Sequence, residues 1–386
     1  MGEPPHPADK TGISAHVSIG DTLTSRNQVH ASASVLGIPF IRTMMPRPRP
    51  ADGRLGFGRY LTDHVLVAEH EAATGWHPPR IVPAGTPHAE YASAAIQYGL
   101  SVFEGLKAFK SDRGEIRIFR PDAHARRLEA SAKRFCMPEV PVEMFINSVR
   151  AIVRAEADWC PPHTGGGALY IRPTLHASEA FLGVRPAAQH VFSIILSPVD
   201  SYWDGEAHKL RLWAEREFTR AAQGGVGAAK TGGNYASSML AAKRAKEHGF
   251  DQVMWLDAIK HEYLEEAGTM NVLVRIGDTV VTPPLEGTIL PGITRDSCLT
   301  LLRSWGIRVE ERRISLTELA ESARAGKDIE MWGSGTAAVI SPIGELVWDG
   351  GSVKATSSSI APRLKAALDG IQSGRAADPF GWLIPT

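Results

Sequence analysis

Cysteine is scarce in this chain: Cys136, Cys160 and Cys298 are the only three in 386 residues. They stand far apart, form no C-x-x-C pair and build no disulfide framework, which points to reduced thiols. Long apolar runs are missing as well. The longest, around Val191 to Leu196, falls far short of the roughly 20 residues a membrane-spanning helix needs. Neither sign of charge is in excess, with 42 Lys and Arg against 42 Asp and Glu, and no basic stripe marks a nucleic-acid surface. Met1-Gly-Glu-Pro-Pro-His6 lacks both the apolar core of a signal peptide and the hydroxyl residue of a myristoylation site. No internal repeat is present. A hydrophobic content of 43% then implies a soluble globular protein, expected in the cytoplasm, with neither membrane nor nucleic acid as a partner.

The length suits two domains of ordinary size. Residues 1–55 mix Pro, Ser, His and Gly without a period and end near Pro46-Arg-Pro-Arg-Pro50, so an extended, mobile arm is expected there. Residues 56–199 read as a small α/β domain. It contains a strand at Val65 to Ala68, a mixed helical pattern from Tyr91 to Leu106, a strand at Ile116 to Phe119 and a helix opened by Pro121. A second helix covers Val142 to Trp159, followed by strands at Leu169 to Leu175 and Val191 to Val199. Residues 200–207 break the pattern and read as an interdomain loop. Residues 208–386 read as a larger α/β domain. Its expected elements are a strand at Leu210 to Ala214, a helix from Tyr235 to His248 and a strand at Gln252 to Leu256. Paired strands at Leu264 to Val274 and Thr279 to Thr282 follow, then a helix N-capped by Thr294 and a capping box at Ser315-Leu-Thr-Glu318.

The chemistry gathers around Gly224-Gly-Val-Gly-Ala-Ala-Lys-Thr-Gly-Gly-Asn-Tyr235. Glycines this dense cost conformational entropy and are kept where a backbone takes positive φ or approaches a ligand. Three readings of Lys230 stand at this point. It is a solvated lysine of a flexible loop, the lysine of a nucleotide-binding P-loop, or a Schiff-base lysine made nucleophilic by desolvation. The P-loop pattern fails at Ala229, and the preceding Glu215-Arg-Glu-Phe-Thr-Arg220 is charged rather than apolar. Glu265 and Glu266 stand against small and apolar residues, either as a solvated strand edge or with one carboxylate turned inward toward a cation. The helix N-terminus at Ile293 and Thr294 and the turn Gly333-Ser-Gly-Thr-Ala-Ala338 offer amides to an anion. Arg127 sits one position off the apolar face of its helix, placed for solvent or for a phosphate. A lysine, a buried carboxylate and amide-rich turns are together what pyridoxal phosphate requires.

Six stretches in register carry a resemblance to a known family. They are Tyr98-Gly-Leu-Ser-Val-Phe-Glu-Gly-Leu-Lys-Ala-Phe109, Leu169-Tyr-Ile-Arg-Pro173, Lys230-Thr-Gly-Gly-Asn-Tyr235, Glu266-Ala-Gly-Thr-Met-Asn271, Leu290-Pro-Gly-Ile-Thr-Arg295 and Gly335-Thr-Ala-Ala338. From Gly56 onward the chain resembles the branched-chain aminotransferases among the class IV, fold type IV pyridoxal-phosphate enzymes. The resemblance implies a two-domain α/β (α+β) fold with the cofactor at the domain interface, commonly a homodimer. It also implies reversible transamination of branched-chain L-amino acids with 2-oxoglutarate, giving 2-oxo acids and L-glutamate. By the same resemblance Lys230 is the catalytic lysine, Glu266 rather than Glu265 partners the pyridine nitrogen, and Tyr235 bonds the ring oxygen. Arg127, Ile293, Thr294 and Thr336 match phosphate contacts. Tyr98, Phe103, Tyr170 and Tyr202 match the aromatic substrate wall, Thr336 and Ala337 the amides for the α-carboxylate, and Arg172 the arginine that admits glutamate. No metal is implied. Asp200, Trp203 and Trp332 depart from the family pattern and bear on side-chain preference, while Ser341 removes a C-x-x-C pair that some animal members carry. The alternatives are a D-amino-acid or amine transaminase, an aminodeoxychorismate lyase, or a P-loop nucleotide-binding protein.

Overall fold

The computed structural model describes residues 33–50, 55–85, 90–163, 166–200 and 208–386. Two sheets organise them. In the first, of eleven strands, the apolar strand Gln189–Val199 runs antiparallel to both His64–Glu71 and Ala168–Ala177. Tyr170 and Arg172 leave Ala168–Ala177 on one face, because side chains alternate along a strand. Helices Pro121–Arg134 and Val142–Ala155 cover the sheet. The second of these buries Phe145, Val149 and Ile152 at helical spacing, against Leu128, Ile118 and Phe192. Each such side chain contributes about 1.5–3 kcal/mol relative to exposure.

The second sheet has nine strands. Leu210–Glu215 lies parallel to both Gln252–Leu256 and Val339–Trp348, with helix Met239–Glu247 in the crossover burying Ala241 and Ala245 against Val253 and Trp255. An apolar cluster joins the two sheets: Phe109, Phe119 and Tyr170 of the first pack with Leu273 and Trp332 of the second and with Cys298 and Leu302 of the helix Ile293–Ser304. Polar ties reinforce it. Arg120 lies 2.7 Å from Asp296, and His163 lies 2.7 Å from Asp369. The cleft described below opens at this seam.

Several elements differ from expectation. The arm is not structureless up to residue 55. Ala33–Val35 and Ile38–Phe40 form a hairpin that joins the first sheet beside Arg80–Pro83, because Ile38 and Phe40 bury their side chains there. Tyr91 to Leu106 is helical only over Ala94–Tyr98. Gly99 closes that helix in the left-handed region at φ 69°, and Ser101–Phe103 is extended against Ala168–Ala177. The helix expected over Tyr235 to His248 is broken into Gly232–Ala236 and Met239–Glu247. The hydroxyls of Ser237 and Ser238 donate to the carbonyls of Asn234 and Tyr235 at 3.4 and 2.7 Å, in competition with the helical ladder. Leu264 to Val274 folds back on itself at Gly268, φ +61°, as the hairpin Leu264–Ala267 and Met270–Ile276. The helix expected to be capped by Thr294 starts earlier, at Ile293, with extended Gly292 as its N-cap. Finally, Leu383–Pro385 returns to the first sheet beside Ile116–Phe119, so the chain beyond residue 208 does not stay wholly with the second sheet. The capping box is present, Ser315 accepting the Glu318 amide.

Candidate active site

Lys230 enters the seam from a loop packed too closely for side chains. A Cβ on Gly227 would stand 2.2 Å from the Thr288 carbonyl oxygen, so only glycine fits there. The backbone on either side is pinned. The Lys230 amide donates to Ser131 Oγ at 3.0 Å, and its carbonyl accepts from the Phe103 amide at 3.0 Å. Thr231 Oγ1 donates to the Ser101 carbonyl at 2.8 Å, and Asn234 Nδ2 donates to the carbonyls of Val226 and Ala229 at 2.9 and 3.0 Å. These bonds explain the sequence Lys-Thr-Gly-Gly-Asn: the polar members stitch the loop so that the lysine is held at one place.

The Lys230 amine donates to the Tyr235 hydroxyl at 2.6 Å. Burial, helped by the Arg127 charge, pulls the lysine pKa down to about 8, while burial and Glu266 push the Tyr235 phenol up to about 12. The amine therefore loses its proton far more easily than a surface lysine does, and the phenol stays neutral as a hydrogen-bond donor.

One cavity gathers most of the expected residues. Phe103, Arg127, Tyr170, Arg172, Lys230, Tyr235, Ile293, Thr294, Thr336 and Ala337 all line it. Arg127 is aimed by Glu104, which accepts from its Nε at 2.7 Å and Nη2 at 2.9 Å and from His124 at 2.6 Å. Burial alone would raise the Glu104 pKa, but Arg127 and His124 outweigh it and hold the carboxyl well below the usual range. The helix Ile293–Ser304 points its N-terminus into the same space. Gly292 is required at its cap, since a Cβ there would lie 1.8 Å from Asn271 Oδ1. Across the cavity, the turn between Ile329–Gly335 and Val339–Trp348 presents Thr336 and Ala337. Val339 closes this turn at φ 59°, a strained conformation for a β-branched residue that costs on the order of 1–3 kcal/mol. Among the described residues, the amides of Ile293, Thr294, Thr336 and Ala337 make none of the turn and cap hydrogen bonds, so they remain available to an anion.

Glu266 stands behind this wall. It is 2% exposed, its Oε1 accepts the Leu290 amide at 2.7 Å, and its Oε2 lies 2.9 Å from Arg220 Nε. Burial raises its pKa, with Arg220 the main opposing charge. Glu265 points elsewhere: its Oε2 is buried without a partner among the described residues, and burial pushes its pKa up to about 7. An acid whose pKa is raised on folding binds more protons when native than when unfolded, so it costs stability as pH rises from about 4.5 to about 7. Glu265→Gln should therefore gain about 1–2 kcal/mol of stability over the parent at pH 8, less than the full shift implies because water screens part of the site. No gain is expected near pH 4. Thermal unfolding at the two pH values checks this.

Among the described residues, two expected site residues do not line this cavity: Glu266 behind it, and Tyr98. Tyr98 is 52% exposed, and its hydroxyl donates to the Leu182 carbonyl. Tyr202, together with Trp203, lies outside the described residues. Others were missed by reading the sequence: Phe57, Gly105, Asn271 and Ser334 also line the cavity, and Arg220 and Glu104 hold the charged residues in place. Arg220 belongs to a charged stretch that served only to argue against a P-loop. Nothing short of the tertiary contact with Glu266 distinguishes it from its solvated neighbours.

The thiols stand apart from the cavity. Cys160 and Cys298 are buried, and burial drives both pKa values up, that of Cys160 to about 12. Since the thiolate is the reactive form, mild peroxide should leave activity nearly unchanged. Inactivation reversed by dithiothreitol would contradict this.

The donor set fits pyridoxal phosphate. An amine of lowered pKa, an arginine and free amides for a phosphate, and a buried carboxylate behind the cavity all converge on one site. Comparison with known proteins bears on this fit. The family model "Amino-transferase class IV" matches residues 101–346. "Branched-chain-amino-acid transaminase 1" of Bacillus subtilis (strain 168) is 42% identical over 347 residues, covering 89% of this chain and 97% of its own. Among solved structures, the branched-chain amino acid aminotransferase of Thermobaculum terrenum in its PLP (holo) form superposes with a TM-score of 0.65 at 27% identity, covering 84% of this chain and 98% of that one. The branched-chain aminotransferase of the thermophilic archaeon Thermoproteus uzoniensis with norvaline gives 0.69 at 26% identity, covering 83% and 99%.

Proposed function

The chain belongs to the class IV aminotransferases, and on that footing we propose how its residues perform the reversible transamination of branched-chain L-amino acids with 2-oxoglutarate. The products are branched-chain 2-oxo acids and L-glutamate. The observation that carries the reading is the half-buried Lys230 amine, its pKa drawn down to about 8, facing an arginine and a helix N-terminus in one cavity. Pyridoxal phosphate, when bound, supplies an electron-withdrawing ring that stabilises negative charge at the substrate Cα and carries the amino group between the two half-reactions. Arg127 and the amides of Ile293, Thr294 and Thr336 hold its phosphate. Glu266 keeps the proton on the ring nitrogen, and Tyr235 donates to the ring oxygen. Lys230 anchors the cofactor and moves the proton at the substrate Cα, a task suited to an amine that titrates near operating pH. Thr336 and Ala337 receive the α-carboxylate, while Phe103 and Tyr170 wall the aliphatic side chain.

Arg172 is the specificity residue of this reading. Its Nη2 donates to the Tyr170 hydroxyl at 2.9 Å, its guanidinium carbon lies 4.8 Å from the Phe103 ring centroid, and its buried Nε has no hydrogen-bond partner among the described residues. A cation held between aromatic rings with a donor to spare suits the second carboxylate of glutamate. Arg172→Met should lower kcat/KM for glutamate by roughly 2–5 kcal/mol, the loss typical when one member of a buried charge pair is removed. Leucine should suffer far less. Stopped-flow measurement of the two half-reactions decides, and equal losses would make Arg172 a purely structural residue. The wider reading is tested by initial rates for leucine, isoleucine, valine, phenylalanine and methionine with 2-oxoglutarate. It fails if none of the three branched amino acids is turned over.

A homodimer belongs to the same proposal. Helix Ala94–Tyr98 and the segment bridged to it through Ser93 and Ala180 expose Ile96, Tyr98, Phe181, Leu182 and Val184 together, an apolar surface of the kind that marks association. The three unpaired cysteines suit a reducing compartment such as the cytoplasm. Among the described residues, no helix is long and apolar enough to cross a membrane.

A further inference from the structure

A carboxylate as buried as Glu266 captures a proton for itself unless something holds its charge. The group in place to do so is Arg220, whose Nε lies 2.9 Å from Glu266 Oε2. Its other nitrogens are spent on backbone: Nη1 donates to the Thr288 carbonyl at 3.0 Å, and Nη1 and Nη2 approach the Gly227 carbonyl at 3.4 and 3.5 Å. Gly227 belongs to the loop that delivers Lys230, and Thr288 begins the segment that leads through Leu290 to the helix at Ile293. The planar fork is thus clamped between the two pieces of backbone that set the cleft, and Glu266 is tied to the same segment through the Leu290 amide.

We propose that Arg220 is a positioning residue that keeps Glu266 anionic and fixed in direction, so that the ring nitrogen rather than Glu266 holds the proton they compete for. This deepens, and rests on, the reading of Glu266 as the ring-nitrogen partner. The proton count is the same in either arrangement. One proton resides on the carboxyl or on the nitrogen, and only the second leaves a positive ring that withdraws electrons from the substrate Cα. Arg127 and Lys230 also face Glu266 electrostatically and favour its anion. Tyr235 is neutral, with a pKa near 12, and Glu265 alongside repels it when ionised. Arg220 is the one among these in contact with the carboxylate itself, and bidentate or clamped guanidinium contacts are geometrically specific in a way that distant charges are not.

The first measurement uses the full-length apoprotein, so its reading does not depend on turnover. The carboxyl stretch of Glu266 is identified by difference infrared spectroscopy against Glu266→Gln and titrated. In Arg220→Met the midpoint should move up by one pH unit or more. Arg220→Lys, which keeps the charge, should bring it back toward the parent value. If methionine does not fold, Arg220→Gln gives the same reading without the charge. On the Glu266→Gln background, Arg220→Met should add little further loss of kcat. An unmoved midpoint, or a shift that lysine does not reverse, overturns the proposal. The titration stays readable even if Glu266 does not face the ring nitrogen. In that case the absorbance of the bound cofactor would be indifferent to Glu266→Gln, which separates failure of the underlying reading from failure of this one.

Discussion

Lys230→Ala should abolish multiple-turnover transamination and leave the protein folded. The backbone that carries the residue is held by Ser131 Oγ and the Phe103 amide, each at 3.0 Å, and neither bond involves the side chain. What is lost is the amine alone, with its 2.6 Å bond to Tyr235. Removing a half-buried ammonium relieves part of a desolvation cost, so the unfolding temperature should hold or rise while activity disappears. Arginine should not rescue, because a guanidinium neither gives up a proton at neutral pH nor attacks a carbonyl. Pyridoxal phosphate should still bind through its phosphate, but borohydride should no longer fix it to the chain, as mass spectrometry would show. Near-parental turnover in this variant would remove the central claim.

Glu266→Gln should slow the chemical step by about two orders of magnitude or more, within the ~10²–10⁴-fold range of a positioned proton-holding group. An amide still accepts from Leu290 through one atom, so the phosphate cradle survives. Its NH₂ then meets the Arg220 Nε donor across the former 2.9 Å contact, which leaves two donors facing each other and costs roughly 1–3 kcal/mol of stability. Cofactor affinity should fall only modestly, because Arg127 and the helix N-terminus are untouched. Glu265→Gln is the internal control. Although buried, Glu265 is not part of the pairing at Leu290 and Arg220, so the activity of this variant should stay close to the parent. Single-turnover rates for both variants decide. If their effects are exchanged, the assignment of the two carboxylates along Leu264–Ala267 is wrong.

The elements that the chain reveals locally are those set by local physics. Pro121 opens a helix because its ring fixes φ and its missing amide proton is not needed there. Ser315 and Glu318 close a capping box three residues apart. The nearly continuous apolar run around Val191 to Leu196 gives a buried strand. Local reading fails where a distant partner decides. Ile38 and Phe40 look like part of an irregular arm until Arg80–Pro83 offers them a sheet edge. The two serines after Ala236 break a helix that periodicity alone would continue.

Residue identities alone supply the chemical inventory: the lysine among glycines, two adjacent carboxylates, amide-rich turns, and motif order enough to indicate a class IV aminotransferase. Bond-forming groups and glycine-only positions are written residue by residue, so they are legible without a fold. Which of those groups share a cavity, and in what charge state, comes from packing. Packing withdrew Tyr98 from the wall, turned Glu266 toward Arg220 and left Oε2 of Glu265 without a partner among the described residues. It also gave Glu104 and Asn271, which stood in the motifs without a role, their contacts with Arg127 and Leu290, and it brought in Arg220, which no local pattern marks. The physical reason is that desolvation and charge pairing depend on what surrounds an atom within a few ångströms, and those neighbours arrive from segments far apart in the chain.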